Sequence, residues 1–123
     1  MRILAIDDSR TIRDMVRLTL DREGFETVLA EDGVHGLEVL TSMEEQPDAI
    51  LTDVNMPRLD GFGFIDAVRQ RDEYSAVPIL VLTTESAREL KQRAREAGAT
   101  GWIVKPFDPA RLVGALRTVT GLK

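Results

Sequence analysis

The stretch VPILVLT, residues 77–83, is the most apolar of the predicted strands in this chain. A short run of aliphatic residues that follows polar residues and ends at a polar one is typical of a buried strand. We therefore expect it at the centre of a sheet. The run ends in Thr83, and polar residues also stand at the ends of other apolar runs.

Strands and helices alternate on both sides of this stretch. Each predicted helix carries a stripe of apolar residues at helical spacing, and Gly, Asp and Pro mark the boundaries. The predicted strands are 2–7, 26–30, 48–53, 77–83 and 100–104, and the predicted helices are 9–23, a segment from Asp32-Gly33 to Met43, 62–71, 86–98 and a segment capped by Asp108 with Pro109 at its first position. Ser86 to Glu89 fits a capping box for the fourth helix, and Asp60-Gly61 predicts a turn before the third.

This alternation predicts an α/β fold of the (βα)5 type. Helices that connect buried strands imply a doubly wound parallel sheet of five strands with helices on both faces. Strand two ends less clearly in a polar group, so we expect it at an edge. No linker or repeat interrupts the chain, so residues 1–123 are expected to form one domain with no output domain attached.

Composition excludes several classes of function. The net charge of −5 argues against nucleic-acid binding, which needs a basic surface. No cysteine is present, so thiolate chemistry and disulfides are excluded. The only histidine, His35, is expected at the surface of helix two. No apolar run is long enough to span a membrane, and we expect a cytoplasmic protein.

Four predicted strands end in polar or charged side chains. Asp7 and Asp8 end strand one, Asp53 ends strand three, Thr83 ends strand four and Lys105 ends strand five. In open α/β sheets, ligands bind outside the carboxyl ends of the strands. Each residue alone has an ordinary alternative as a helix cap or a solvated turn, and it is their combination that predicts a site.

Three neighbouring carboxylates repel one another unless a positive charge lies between them. A hard divalent cation supplies that charge, and all-oxygen ligands suit Mg²⁺. Lys105 adds a second positive charge and Thr83 a hydroxyl group. The set predicts a cation-assisted phosphate site in which one carboxylate acts as the nucleophile.

The chain resembles the receiver domain of bacterial two-component response regulators, and within that family the CheY-like single-domain chemotaxis regulators. The resemblance covers nearly the whole chain. It is carried, in this order, by Asp7-Asp8, DVNMPRLDG (53–61), LVLTTES (80–86) and GWIVKPF (101–107). It implies the strand order 2-1-3-4-5.

The resemblance also assigns roles to individual residues. Asp53 would accept a phosphoryl group from a histidine kinase. Asp8 would be the main acidic Mg²⁺ ligand, Asp7 would hold a metal-bound water, and the backbone carbonyl of Asn55 would complete the protein ligands. Lys105 would pair with Asp53 at rest and with a phosphate oxygen afterwards.

A switch and a cis peptide bond are implied as well. The Lys105–Pro106 bond is cis in this family. Phosphorylation would draw Thr83 inward and let Trp102 rotate into the vacated space, which changes the face formed by helix four, strand five and helix five. The chain departs from the family here, since Tyr or Phe is usual at the position of Trp102. The alternative is a tryptophan that only packs.

Asn55, Thr84 and Glu85 are the residues expected to modulate dephosphorylation. Two polar residues at positions 55 and 85 imply a short-lived phosphoryl group. Thr84 is a second departure, since Ala or Gly is usual there, and its bulk could lengthen the lifetime.

Two functional classes remain open at this stage. One is a monomeric signalling module that is phosphorylated by a CheA-like histidine kinase and binds a FliM-like flagellar motor switch protein. The other is a phosphorelay intermediate or phosphate sink that exchanges the group with a phosphotransfer protein. A phosphatase is a further expected partner, whereas nucleic acid and membranes are not. A free-standing Mg²⁺-dependent phosphatase is disfavoured because the chain has no room for a cap over a substrate.

Overall fold

The computed structural model describes residues 1–84 and 88–121. Within these ranges strands and helices alternate along the chain, with one short 3-10 helix at Asp72–Tyr74 before the fourth strand. The strands are β1 (Arg2–Ile6), β2 (Glu26–Ala30), β3 (Ala49–Asp53), β4 (Ile79–Thr83) and β5 (Gly101–Val104), and the helices are α1 (Arg10–Arg22), α2 (Gly33–Ser42), α3 (Gly61–Arg69), α4 (Arg88–Ala97) and α5 (Pro109–Thr120).

The five strands form one parallel sheet in the order β2-β1-β3-β4-β5. This confirms the doubly wound (βα)5 fold, the order 2-1-3-4-5 and the edge position of β2. The expectation that residues 77–83 form the central strand is wrong, because β3 lies at the centre and β4 beside it. Both β3 and β4 are buried along their whole length. Apolar composition therefore indicated burial on both faces, but it could not indicate the order of two equally buried strands.

The core has two layers, one on each face of the sheet. Side chains of α2, α3 and α4 pack on one face around the fully buried Phe64 and Ile65. Side chains of α1 and α5 pack on the other face around Leu20 and Leu112. Burial on both faces explains why the strands are continuous apolar runs.

Most boundaries agree with the predicted ones to within one or two residues. The predicted turn at Asp60-Gly61 is wrong. Asp60-Gly61 is not a turn, because the Asp60 side chain caps α3 by accepting a hydrogen bond from the Gly63 N–H at 2.8 Å. Gly61 is the first helical residue, and a Cβ there would lie 2.2 Å from the carbonyl oxygen of Asp53. The predicted capping box at Ser86 lies partly outside the described residues.

His35 lies on α2 as predicted, but it is half-buried rather than fully exposed. Its Nδ1 accepts a hydrogen bond from the backbone N–H of Glu31 at 3.1 Å. None of the helices in the described ranges combines the length and the apolar character that crossing a membrane requires.

Candidate functional site

The predicted polar residues meet at one edge of the sheet. Asp53 and Thr83 are the last residues of β3 and β4, Asp7 directly follows β1, and Lys105 directly follows β5. Because the strands are parallel, all these ends lie on the same side of the sheet. Asp7, Asp53 and Thr83 are buried, whereas Asp8 is exposed.

Asp7, Asp8 and Asp53 form a cluster of carboxylates. One oxygen atom of each lies within 4.8 Å of the corresponding atoms of the other two. Two of the three side chains are withdrawn from solvent and one faces it, so the cluster is open on one side. This geometry provides hard oxygen ligands in a cluster that solvent reaches at Asp8, and Mg²⁺ prefers oxygen ligands and usually keeps several waters.

Lys105 supplies a positive charge inside this cluster. Its Nζ lies 2.7 Å from Asp7 Oδ2 and 3.3 Å from Asp53 Oδ1, and its side chain is only 10% exposed. The predicted pairing with Asp53 is therefore present, but the closer partner is Asp7. One ammonium group among three carboxylates leaves an excess of negative charge, so the residues fit a divalent cation.

Asp53 has a perturbed acidity. Burial raises its pKa to about 6, and repulsion from Asp7 acts in the same direction. Attraction to Lys105 and a hydrogen bond of 2.8 Å from the Val54 N–H to Oδ1 oppose this rise without cancelling it. A buried carboxylic acid with a raised pKa at the carboxyl edge of a sheet is a candidate functional residue.

The turn after β1 is held by groups that the sequence did not single out. The Asp7 side chain accepts a hydrogen bond from the Ser9 N–H at 2.9 Å, and Ser9 in turn caps α1. Arg13 donates from Nη1 to the backbone carbonyl of Asp7 at 2.6 Å. Arg13 was missed because an arginine on a predicted helix gives no sequence signal that its side chain turns back to the preceding loop.

Two further predicted site residues, Asn55 and Thr84, follow the carboxyl ends of β3 and β4. Asn55 is exposed in the loop after β3, and Thr84 is exposed directly after β4. Glu85 lies outside the described residues. The Lys105–Pro106 peptide bond is cis, as predicted.

Trp102 and Thr83 lie on the same face of the sheet. Trp102 pairs with Val81 and Val104 pairs with Thr83, so Trp102 and Thr83 are diagonal neighbours on adjacent strands. The indole packs against the core layer that includes Leu90 of α4. Its Nε1 is buried, and no acceptor for it lies among residues 1–84 and 88–121.

The carboxyl edge of this parallel sheet thus presents two buried carboxylates, one exposed carboxylate and a lysine in a single cluster. The chain belongs to the response regulator receiver domain family, whose model matches residues 3–117. Members of this family bind Mg²⁺ at an acidic pocket and accept phosphoryl groups from histidine kinases.

Several relatives resemble this chain over nearly its full length. It is 36% identical to the chemotaxis protein CheY1 of Helicobacter pylori over 123 residues, which covers 98% of both chains. It is 46% identical to the chemotaxis response regulator CheY4 of Vibrio cholerae, with a TM-score of 0.90 and coverage of 96% and 97%. The receiver domain of sensor histidine kinase PA1611 from Pseudomonas aeruginosa is 27% identical, with a TM-score of 0.89 and coverage of 98% and 97%, and its structure has a magnesium ion coordinated in the active-site cleft.

Proposed function

We propose that this chain is a cytoplasmic response regulator receiver that accepts a phosphoryl group on Asp53 and signals by binding a partner when phosphorylated. The observation that carries the proposal is the carboxylate cluster with Lys105 inside it, 3.3 Å from Asp53. The similarity to chemotaxis regulators supports a role in chemotaxis, with a CheA-like kinase as the donor and a FliM-like motor switch protein as the partner.

Asp53 performs the transfer in this proposal. One of its carboxylate oxygens forms a bond to phosphorus while the bond from phosphorus to the donor histidine breaks. Lys105 lies between Asp7 and Asp53 before the transfer. After the transfer its ammonium group would pair with a phosphoryl oxygen. Positioned charges of this kind account for most catalysis of phosphoryl transfer.

Asp7, Asp8, Asp53 and the backbone carbonyl of Asn55 would hold Mg²⁺. When bound, the ion would neutralise the carboxylates so that an anionic donor can approach. Thr83 and Lys105 would then hold the transferred group. Asn55, Thr84 and Glu85 would control how fast water removes it.

A groove beside Trp102 is the proposed partner surface. It has a volume of about 510 Å³ and lies between α4, β5 and α5. Its lining combines the apolar Trp102, Ile103 and Val104 with the basic Lys91 and Arg111. Val104 is 42% exposed, which leaves apolar surface available to a partner.

A phosphorelay or phosphate-sink role is the second candidate. It is favoured by one further relative, the sensor histidine kinase CheAY of H. pylori, in which a segment covering 13% of that protein is 37% identical to this chain. In that relative the matching segment is part of a kinase. The two roles differ in whether a motor protein or a phosphotransfer protein binds the chain.

Partner capture separates these roles. We expect protein trapped with beryllium fluoride to retain a partner about tenfold more than untreated protein does, because coupling between two sites is of this size. Mass spectrometry of the captured partner distinguishes a motor switch protein from a phosphotransfer protein. Lys91→Glu should weaken capture, while the control Arg17→Glu on the exposed side of α1 should not. Equal capture by trapped and untreated protein would contradict phosphorylation-dependent signalling.

Trp102 fluorescence tests the proposed switch. We expect Mg²⁺ alone to change the emission little and beryllium fluoride to change it clearly, because only the latter acts on Thr83 and on the space beside the indole. Thr83→Ala should remove the second response, while Thr41→Ala, the same change on α2, should preserve it. A full response to Mg²⁺ alone, or an intact response in Thr83→Ala, would leave packing as the only role of Trp102.

A further inference from the structure

The loop of residues 54–60 between β3 and α3 carries Asn55, and its far end is fastened to another part of the molecule. Arg58 makes two hydrogen bonds to Asp32, from Nε to Oδ2 at 2.9 Å and from a terminal nitrogen to Oδ1 at 3.1 Å. A two-point contact of this kind restrains orientation as well as distance. Asp32 lies 26 residues before Arg58, in the turn between β2 and α2.

Asp32 is a fixed anchor for this contact. Its side chain is 7% exposed, and it also caps α2 by accepting a hydrogen bond from the His35 N–H at 2.8 Å. A carboxylate held in these two ways has little freedom to follow the arginine. The flexible partner is Arg58, whose side chain is 54% exposed and whose backbone is left-handed, with φ of 67°.

Backbone contacts support the same attachment. The Gly33 N–H donates to the carbonyl oxygen of Leu59 at 3.1 Å. A Cβ at Gly33 would lie 2.4 Å from that oxygen, so the loop touches the first turn of α2 directly. At the base of the loop, the Gly61 N–H donates to the carbonyl oxygen of Val54 at 2.8 Å.

Asn55 therefore lies in a loop whose two ends are joined by the hydrogen bond from Gly61 to Val54, and which is fixed to the start of α2 through Arg58 and Leu59. We propose that Asp32 and Arg58 are positioning residues, which hold the loop of residues 54–60 so that the Asn55 carbonyl is in place for the divalent cation at Asp7, Asp8 and Asp53. This inference rests on the proposed function, since it uses the metal site assigned there. Partners that orient a ligand commonly matter almost as much as the ligand itself.

Charge provides a way to separate positioning from a general electrostatic effect. Arg58→Asn removes a cation from an acidic protein, so Coulomb attraction alone would make Mg²⁺ bind more tightly. Loss of positioning makes it bind more weakly. Asparagine also tolerates the left-handed backbone at this position, so the change does not add strain of its own.

Calorimetric titration with Mg²⁺ measures the effect directly. We expect Arg58→Asn to weaken Mg²⁺ binding about tenfold, at the lower end of the range for groups that orient metal ligands. Arg58→Lys, which keeps the charge but not the two-point contact, should recover part of the loss. Asp32→Asn keeps a good helix cap but offers Arg58 one acceptor oxygen instead of two, so it should resemble Arg58→Asn. The double variant should lose no more than Arg58→Asn alone, because each change breaks the same two-point contact.

Arg117→Asn is the matched control. Arg117 pairs with Glu23 at 3.0 Å between α5 and the end of α1, so the same charge change occurs away from the loop. It should leave Mg²⁺ affinity unchanged. Amide hydrogen exchange adds a second measurement that needs no metal, since the Gly33 amide should exchange faster in Arg58→Asn and not in Arg117→Asn.

The outcomes distinguish the two proposals. If the unmodified protein binds no Mg²⁺, the proposed metal site is wrong and this inference falls with it. If the unmodified protein binds Mg²⁺ and Arg58→Asn binds it equally or more tightly, the metal site stands and the positioning role is wrong. Weaker binding in Arg58→Asn and Asp32→Asn, with Arg117→Asn unchanged, supports the positioning role.

Discussion

Replacing Asp53 with asparagine is expected to abolish phosphoryl transfer from acetyl phosphate. An amide has no anionic oxygen to attack phosphorus, whereas the Asp53 carboxylate, which lies beside Lys105, would be the nucleophile in the proposed transfer. The effect should be nearly complete rather than partial. Asp7 pairs with Lys105 at 2.7 Å and Asp8 faces solvent, and neither occupies the strand-end position of Asp53.

Intact-mass measurement after incubation with acetyl phosphate and Mg²⁺ checks this result. The unmodified protein should gain one phosphoryl group, and EDTA should prevent the gain because three carboxylates with one lysine repel an anionic donor. Asp60→Asn is the matched control, since asparagine can keep the cap of α3 and Asp60 lies outside the cluster. A full adduct on Asp53→Asn, or labelling that persists in EDTA, would show that Asp53 is not the metal-assisted acceptor.

The same substitution should stabilise the metal-free protein at neutral pH. Burial and Asp7 raise the pKa of Asp53 to about 6, while an unfolded aspartate has a pKa of about 3.9. The folded state therefore binds more protons than the unfolded state between these values, and stability falls as pH rises through this window. Each pKa unit corresponds to about 1.4 kcal/mol, so after allowance for local relaxation Asp53→Asn should raise the free energy of unfolding at pH 7 by roughly 2 kcal/mol.

Urea unfolding between pH 4.5 and pH 7.5 in metal-free buffer measures this effect. The difference between Asp53→Asn and the unmodified protein should grow with pH and level off above about pH 7. Lys105 keeps Asp7 as a partner in the variant, so no unpaired buried charge should offset the gain. Mg²⁺ should stabilise the unmodified protein much more than the variant, because a ligand that binds only the folded state adds stability. A pH-independent difference, or a less stable variant, would mean that burial and Asp7 do not destabilise the ionised Asp53 carboxylate in the folded protein.

Much of the fold could be predicted from the order of apolar runs and their boundaries. Strands buried on both faces leave a strong signal, and the Asp108 cap with Pro109 marked the start of α5 correctly. The order of the strands in the sheet did not follow from these apolar runs. It was inferred from the resemblance to the receiver-domain family. The placement of residues 77–83 at the centre of the sheet failed because β3 and β4 are equally buried.

The candidate site likewise has residues that could be predicted from the sequence and a contact that could not. Asp7, Asp8, Asp53 and Lys105 could be found in the sequence because each follows or ends a predicted strand, and parallel strands end on one side of a sheet. The preference of Lys105 for Asp7 could not be predicted, because it depends on how a long side chain crosses from β5 over the neighbouring strands.

The sequence by itself determined which elements form and which polar groups reach the carboxyl edge, because both depend on local patterns of apolar and polar residues. Only the tertiary structure decided the contacts between distant segments. Arg58 and Asp32 are 26 residues apart, and nothing near either of them in the sequence marks the other. Their contact exists because the loop after β3 packs on the first turn of α2, and that packing depends on the order of the strands and on the space left by Gly33.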